Sequence, residues 1–256
     1  MRKISLAKLG VPDFYVDPGA ETRYGLQFWE SVENGGWESN QLEDLVSRAK
    51  VGCFFIDVGA SNGVYSLIMA SLGCQVTAIE PNESQFKAMN LNLGLNPQLK
   101  ITAKKGLVIS STIHDKFSPY ALDLISSDPD KIEKFDFVTF FKPSDVTVIK
   151  MDIEGGEWEL MRDRRIVSNV LQHRNLEIFL SPHIGFFSEN YNKGALHRFK
   201  FRISVLWEFL VLYKFARRAN SIIYRGARIT PRKLILQDRV FRGPGLREHI
   251  IFQFSR

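Results

Sequence analysis

The sequence has few cysteines and no long run of apolar residues. Only Cys53 and Cys74 occur in 256 residues, too few for a disulfide framework or for a zinc site made of cysteines alone. The longest apolar stretch, residues 203–213, contains Glu208 and is shorter than the roughly 18 residues of a membrane-spanning helix. The N-terminal residues lack the apolar segment of a secretory signal. We therefore expect two thiols, no transmembrane segment and a cytoplasmic protein.

Charge is distributed unevenly along a chain of otherwise globular composition. Hydrophobic residues make up 45% and charged residues 24% of the sequence, proportions that exclude disorder of the whole chain. Residues 193–256 hold 15 lysines and arginines against three acidic residues, a net charge of +12, whereas the other 192 residues carry −6. This basic quarter is either a surface for an anionic partner (nucleic acid, anionic lipid or acidic glycan) or a solvated face that maintains solubility.

Strand and helix patterns alternate over residues 40–94. Residues 53–58 form an almost continuously apolar run, which is typical of a strand buried on both faces of a parallel sheet. The alternation of strand, turn and helix indicates a right-handed parallel α/β unit. Strands are predicted at residues 53–58, 75–79, 101–105, 147–151, 176–180, 221–224 and 249–254, and helices at 40–50, 64–72, 82–93, 157–167 and 203–217. Residues 1–38 are expected to be irregular, and residues 137–141 to form an edge strand or hairpin.

The most informative segment is the turn Asp-Val-Gly-Ala-Ser-Asn-Gly at residues 57–63, between the first of these strands and its helix. Gly59 and Gly63 allow positive φ angles and close approach of a ligand to the backbone. The spacing is not that of the dinucleotide fingerprint, which argues against a nicotinamide enzyme. Glu80 follows at the end of the next strand, where a carboxylate can accept hydrogen bonds from both ribose hydroxyls of a nucleoside. The alternative is a turn kept only for packing and an exposed glutamate.

With these residues the sequence resembles the class I S-adenosylmethionine (SAM)-dependent methyltransferases. In that family an acidic residue and glycines follow the first strand, as Asp57, Gly59 and Gly63 do here. The resemblance implies that these three residues line the SAM site and that Glu80 binds the ribose. Ala60, Ser61 and Asn62 lie in the same turn and are included in the predicted cofactor site.

A second segment narrows the resemblance to the FkbM-type methyltransferases. Residues 148–157 read Val-Ile-Lys-Met-Asp-Ile-Glu-Gly-Gly-Glu, which is similar to the Lys-x-Asp-x-Glu-Gly-x-Glu run at the end of that family's fourth core strand. The resemblance covers about residues 50–185 and implies O-methylation of sugars or other hydroxyl groups in glycans and natural products. It also implies a Rossmann-like α/β fold with a mainly parallel, seven-stranded sheet flanked by helices. We expect an N-terminal cap segment and helix at residues 1–50 and a methyltransferase domain at residues 51–256.

The acidic residues of this second segment are candidates for catalysis. A hydroxyl acceptor must lose its proton during attack, so a general base within hydrogen-bond reach would serve. Asp152 and Glu154 are predicted at the ligand-binding edge of the sheet, whereas Glu157 also suits the first turn of a helix. His183 follows the next predicted strand and is either a proton acceptor or an ordinary loop histidine. A hard cation on the carboxylates would need further oxygen ligands, so no metal is predicted.

Two other functions remain open from the sequence. The basic quarter would suit a nucleic-acid methyltransferase, although the Asn/Asp-Pro-Pro-aromatic motif of amino-methylating enzymes is absent after the fourth strand. A binding protein that keeps the fold without chemistry is the second alternative. Residues 203–218 also have the pattern of a basic helix that docks on anionic lipid, or of a core helix. The protein is therefore predicted to be cytoplasmic, with a peripheral membrane association as an option, and its oligomeric state is undetermined.

Overall fold

The structure is a computed structural model that describes residues 1–19, 25–110, 132–141, 148–153, 156–182, 195–237 and 249–255. The chain divides into two compact units. The first comprises residues 1–108, 125–134 and 146–150, and the second comprises residues 109–124, 135–145 and 151–256.

The first unit begins with an antiparallel hairpin and two helices. The hairpin strands are β1 (Arg2–Leu6) and β2 (Val11–Val16), and the helices are α1 (Gly25–Glu33) and α2 (Ser39–Val46). Gly10 has a φ of 71° in the hairpin turn, a conformation that favours glycine. The expectation of an irregular segment over residues 1–38 is therefore wrong. Its prolines suggested loops, but Pro12 lies on the exposed side of β2, where a missing N–H is tolerated.

The rest of the first unit is a parallel α/β arrangement. It contains β3 (Phe54–Val58), α3 (Val64–Ser71), β4 (Gln75–Glu80), α4 (Glu83–Gly94) and β5 (Ile101–Lys105). Three further strands follow: β6 (Leu107–Ile109), β7 (Lys134–Asp136) and β8 (Val148–Met151). Of these strands, residues 107–108, 134 and 148–150 belong to the first unit. The order is β8-β3-β4-β5, and the β3–β4 and β4–β5 pairs are parallel. Parallel pairing brings the carboxyl ends of β3 and β4 to the same edge, with Val58 opposite Ile79.

The second unit combines helices with antiparallel strands. Its elements are α5 (Phe137–Phe140), α6 (Glu157–Arg162), α7 (Arg164–Val170), β9 (Asn175–Leu180), α8 (Ala195–Ala216), β10 (Ser221–Tyr224), β11 (Ala227–Arg228), α9 (Pro231–Gln237) and β12 (Ile250–Ser255). The strand order is β11-β10-β12-β9, and all three neighbouring pairs are antiparallel. The predicted α/β fold is confirmed, and the strands form a mixed arrangement, with parallel pairs in the first unit and antiparallel pairs in the second.

Aspartates at helix starts account for two further corrections. Asp136 accepts a hydrogen bond from the Thr139 N–H at 3.1 Å and begins α5, so residues 137–140 are helical and not an edge strand. Asp163 accepts the Arg165 N–H at 2.7 Å and divides the single helix predicted for residues 157–167 into α6 and α7. Both are side-chain N-caps, which satisfy backbone donors that the helix itself leaves unpaired.

The two cysteines form a disulfide, which corrects the expectation of thiols. Cys53 and Cys74 directly precede β3 and β4, and their Cα atoms are 4.5 Å apart. The parallel register that pairs Phe54 with Gln75 brings these two positions side by side. No helix in the described part of the chain is long and apolar enough to cross a bilayer.

Candidate functional site

The turn between β3 and α3 is held against the end of β4 by backbone hydrogen bonds. The N–H groups of Gly59 and Ala60 both donate to the carbonyl of Ile79, each at 3.0 Å. Positive φ angles occur at Gly59 (79°), Ser61 (52°) and Gly63 (85°). Non-glycine residues seldom adopt this left-handed conformation and keep it only where their surroundings fix it. At Ser61, a contact with Glu80 does so.

Glu80 accepts two backbone hydrogen bonds at this edge. Ser61 N–H donates to Oε2 at 2.7 Å, and Asn82 N–H donates to Oε1 at 2.8 Å. The residue is only 6% exposed. Burial raises the pKa of Glu80 to about 7, because the two N–H donors and the Lys150 ammonium only partly offset the loss of hydration and the charge of Asp57. The predicted ribose ligand is thus a buried carboxylate that fixes the glycine turn.

Gly63 at the start of α3 is required by packing as well as by its φ angle. A Cβ atom at this position would lie 2.9 Å from Cγ of Met89 on α4, closer than carbon atoms approach without displacement. The neighbouring Asn62 is buried, and its carbonyl accepts a hydrogen bond from Nδ2 of Asn92 at 3.1 Å. The turn therefore packs directly on α4, and its predicted contact with a ligand stays a prediction.

A buried ion pair lies beneath the turn. Asp57 and Lys150 are both buried, with Lys150 Nζ 3.7 Å from Asp57 Oδ1. Ser66 Oγ donates to Asp57 Oδ2 at 2.8 Å, which fixes α3 to β3. Lys150 Nζ also lies 4.9 Å from the centre of the Tyr65 ring, and the Tyr65 hydroxyl donates to Glu38. Asp57 is therefore a buried positioning group in this unit, and its predicted place in the cofactor site is untested.

Sequence reasoning used Lys150 only as part of a motif and overlooked its structural partner. A detectable signal was present, because Lys150 interrupts an otherwise apolar strand. A charge in a strand buried on both faces requires a counter-charge nearby. Nothing in the spacing of Tyr65 and Glu38 indicated that they would join the same cluster.

The predicted catalytic residues belong to the second unit, and the structure describes one of the three. Asp152 is half-buried directly after β8, where the Met151 carbonyl accepts the Ser181 N–H at 3.0 Å. This hydrogen bond joins the last residue of β8 to the residue that follows β9. Glu154 and His183 lie outside the described residues. Glu157 is buried in the first turn of α6 and accepts the Ile153 N–H at 2.9 Å, so its carboxylate binds the turn that precedes the helix rather than a helix N–H group.

Within the described residues, no group of three His, Cys, Asp or Glu side chains is placed to hold a metal ion. The described candidate groups of the first unit are the backbone N–H groups of the turn and the Glu80 carboxylate. The described candidate group of the second unit is the Asp152 carboxylate.

Comparison with known families identifies the segment that carries both motifs. Residues 57–178 match the family profile of the methyltransferase FkbM domain. This segment, just under half of the chain, is similar to the FkbM-type methyltransferase domain. The match begins at Asp57 and includes Glu80, Lys150 and Asp152, so it covers the turn, the buried pair and the end of β8. A search of curated proteins finds no match to this chain.

Three solved structures are similar to the chain at low sequence identity. WbdD, described as a bifunctional kinase-methyltransferase, is 11% identical with a TM-score of 0.44, over 83% of this chain and 37% of its own. An S-adenosylmethionine-dependent methyltransferase from Mesorhizobium loti is 14% identical (TM-score 0.35, 57% of this chain and 54% of its own). The precorrin 8w decarboxylase of Methanobacterium thermoautotrophicum is 14% identical, with a TM-score of 0.39, over 95% of this chain and 96% of its own. The chain thus spans well under half of WbdD, and the FkbM assignment rests on the matched segment.

The residues around the turn offer the hydrogen-bonding groups that the nucleoside half of SAM would need. Each Glu80 oxygen accepts one hydrogen bond from a backbone N–H. A carboxylate oxygen has a second lone pair, which could accept a hydrogen bond from a ribose hydroxyl. Ser61 and Glu80 also place a hydrogen-bonding group and a carboxylate at the carboxyl ends of adjacent parallel strands, which is where ligands bind in open α/β sheets.

Proposed function

We propose that the protein transfers a methyl group from SAM to a hydroxyl oxygen, with a sugar, glycan or natural product as acceptor. The observation that carries the proposal is the hydrogen bond from the Ser61 N–H to the buried Glu80 carboxylate at 2.7 Å. It unites the two sequence features of a nucleoside site, the glycine turn and the acidic strand end, in one place within the segment that is similar to the FkbM domain. The hydroxyl acceptor is what the family resemblance implies.

The protein's own part in this reaction is binding, orientation and proton removal. When bound, SAM would supply a methyl group attached to a sulfonium sulfur. The acceptor oxygen would attack the methyl carbon in line, and the sulfur would leave as the thioether of S-adenosylhomocysteine. The turn at residues 59–63 and Glu80 hold the nucleoside, so that the methyl group meets the acceptor in a fixed geometry. Asp152 is a candidate for the general base that takes the hydroxyl proton, and Glu154 and His183 are the other candidates.

Calorimetric titration with SAM tests the cofactor site. Glu80→Ala should weaken SAM binding roughly 10- to 100-fold, the usual range for hydrogen bonds to a charged group. Glu43→Ala is the matched control, because Glu43 is an exposed glutamate of α2. NAD should not bind. Unchanged SAM affinity in Glu80→Ala would refute the ribose assignment, and a folded protein that binds no SAM would favour the non-catalytic binding protein.

Product formation tests the acceptor and the base. The wild type is incubated with SAM and panels of sugars, glycans and nucleic acids, and S-adenosylhomocysteine is measured. Asp152→Asn should reduce turnover roughly 10²- to 10⁴-fold with little change in SAM affinity. Full turnover in this variant would move the base to His183 or Glu154. Methylation of RNA or DNA in place of hydroxyl acceptors would contradict the proposed substrate class.

A further inference from the structure

Helix α8 (Ala195–Ala216) has two apolar faces among its described side chains, and the described residues of its own unit bury only one of them. On the covered face, Phe209, Leu212 and Phe215 are buried. The Phe215 ring packs edge-on against Phe252 and Phe254 of β12, with ring centroids 5.2 and 5.6 Å apart. This face anchors α8 to the antiparallel strands and fixes which residues point outward.

The second apolar face consists of Ile203, Leu206, Trp207 and Leu210, here called the α8 stripe. Ile203 lies three and four residues before Leu206 and Trp207, and these lie four and three residues before Leu210, so all four side chains are on one side of the helix. Each is between 45% and 51% exposed. A helix that is apolar on both sides is normally covered on both sides, so the α8 stripe has the properties of a surface with an external partner.

Cations border the stripe at its C-terminal end. The Trp207 ring has the Arg162 guanidinium at 5.4 Å and the Lys214 ammonium at 6.0 Å from its centre. Lys214 follows Leu210 by four residues and continues the same line, and Arg217 and Arg218 follow on the exposed surface. Glu208, the acidic residue of this part of the helix, is buried away from the stripe.

We propose that the α8 stripe and its bordering cations dock the protein on the surface of an anionic lipid bilayer. Leucine and isoleucine enter the boundary between head groups and acyl chains, while lysine and arginine attract anionic head groups. A tryptophan beside cations suits the same boundary, where its ring is apolar and its N–H remains wet. Nucleic acid would use the cations but leave three aliphatic side chains without a partner. The net charge of +12 in residues 193–256 matches a negatively charged surface.

Vesicle binding of the full chain tests this inference. Vesicles contain phosphatidylcholine alone or with about 30% phosphatidylglycerol, the latter to supply a negative surface. The protein should partition at least tenfold more strongly onto the anionic vesicles. Dibromo-acyl phosphatidylcholine in those vesicles should quench Trp207 fluorescence, because bromine quenches only tryptophans at acyl depth. Trp207→Phe should abolish that quenching, since Trp29 and Trp158 are buried and Trp37 is partly buried.

Paired variants separate the stripe from general surface effects. Leu206→Gln/Leu210→Gln should weaken anionic vesicle binding at least tenfold, whereas Leu91→Gln, an equally exposed leucine of α4 (55%), should not. Lys214→Gln should weaken binding roughly fivefold, as expected for one cation near the membrane surface. Its control is Lys8→Gln, which replaces an exposed lysine of the first unit and should have a much smaller effect. Circular dichroism and thermal unfolding confirm that each variant is folded.

Several outcomes would overturn the inference. Absence of binding to anionic vesicles is one, and binding without bromine quenching is another, since it shows adsorption by charge alone. A dimer in sedimentation velocity that Leu206→Gln/Leu210→Gln dissociates would show that a second copy covers the stripe. Tight oligonucleotide binding with no vesicle binding would assign the cations to nucleic acid instead.

Discussion

The buried carboxylate of Glu80 makes the stability of the protein depend on pH in an unusual direction. Most carboxylates in folded proteins have lowered pKa values and stabilise the fold as pH rises. Burial instead raises the pKa of Glu80 from 4.5 to about 7. The folded protein therefore holds this proton more tightly than the unfolded chain. Its stabilising contribution is complete below about pH 4.5 and is lost as pH rises to about 7.

The magnitude follows from the pKa difference between the folded and the unfolded protein. A shift of this size corresponds to about 3 kcal/mol in total, of which roughly 2.5 kcal/mol is lost between about pH 5 and pH 8. Glu159 on α6, half-buried, has a pKa raised in the same direction, to about 7. The contribution of Glu80 must therefore be isolated by comparison with a variant in which only this group cannot ionise.

Glu80→Gln provides that comparison, because an amide has nearly the same shape and does not titrate in this range. Urea unfolding of both proteins gives the free energy of unfolding at each pH. The advantage of the wild type over Glu80→Gln should fall by roughly 2.5 kcal/mol between about pH 5 and pH 8. A difference that does not change with pH, or that grows, would refute a raised pKa and with it the description of Glu80 as a desolvated carboxylate.

Three further perturbations test other contacts of the first unit. Lys150→Met should lower the free energy of unfolding in urea by about 3–5 kcal/mol, because it leaves the Asp57 carboxylate buried without its cation. Adding Asp57→Asn should recover part of that loss. Additive losses in the double variant would contradict the pairing. Gly63→Ala should destabilise the folded protein by roughly 1–3 kcal/mol, because residue 63 has a positive φ and an added Cβ would clash with α4. Gly94→Ala, at an open helix position, should be neutral or stabilising. Equal effects of the two substitutions would disprove the packing argument. Reduction of the disulfide should lower the free energy of unfolding by about 3 kcal/mol, because the unfolded chain regains the entropy of the loop that the bond closes. Cys53→Ser should abolish the response to reductant. Free thiols in the purified oxidised protein would refute the bond.

Local patterns predicted most of the secondary structure because each element carried its own signal. The apolar run before Asp57 and the glycine turn are each recognised from a few neighbouring residues. Asn82, predicted as the first residue of a helix, caps that helix and accepts the N–H groups of Ser84 and Gln85 at the start of α4. The N-terminal hairpin was missed because the prolines and glycines of residues 1–38 are turn signals in most contexts.

The candidate site was predicted in its parts but not in its connections. Gly59, Gly63 and Glu80 stand at recognisable positions relative to predicted strands, so the sequence was enough to place them at one edge of the sheet. The hydrogen bond between Ser61 and Glu80 joins residues 19 positions apart. Whether that carboxylate is hydrated or buried depends on the packing of α3 and α4, which no local pattern encodes.

The sequence by itself determined the strand–turn–helix order, the FkbM motifs and the concentration of positive charge in the last quarter, because these are properties of neighbouring residues. Tertiary structure alone decided which distant groups meet. It paired Lys150 with Asp57 and Cys53 with Cys74, and it buried one face of α8 while leaving Trp207 exposed. Such contacts arise from strand register and helix packing, which join residues far apart in the chain, and their energies depend on the burial that this packing creates.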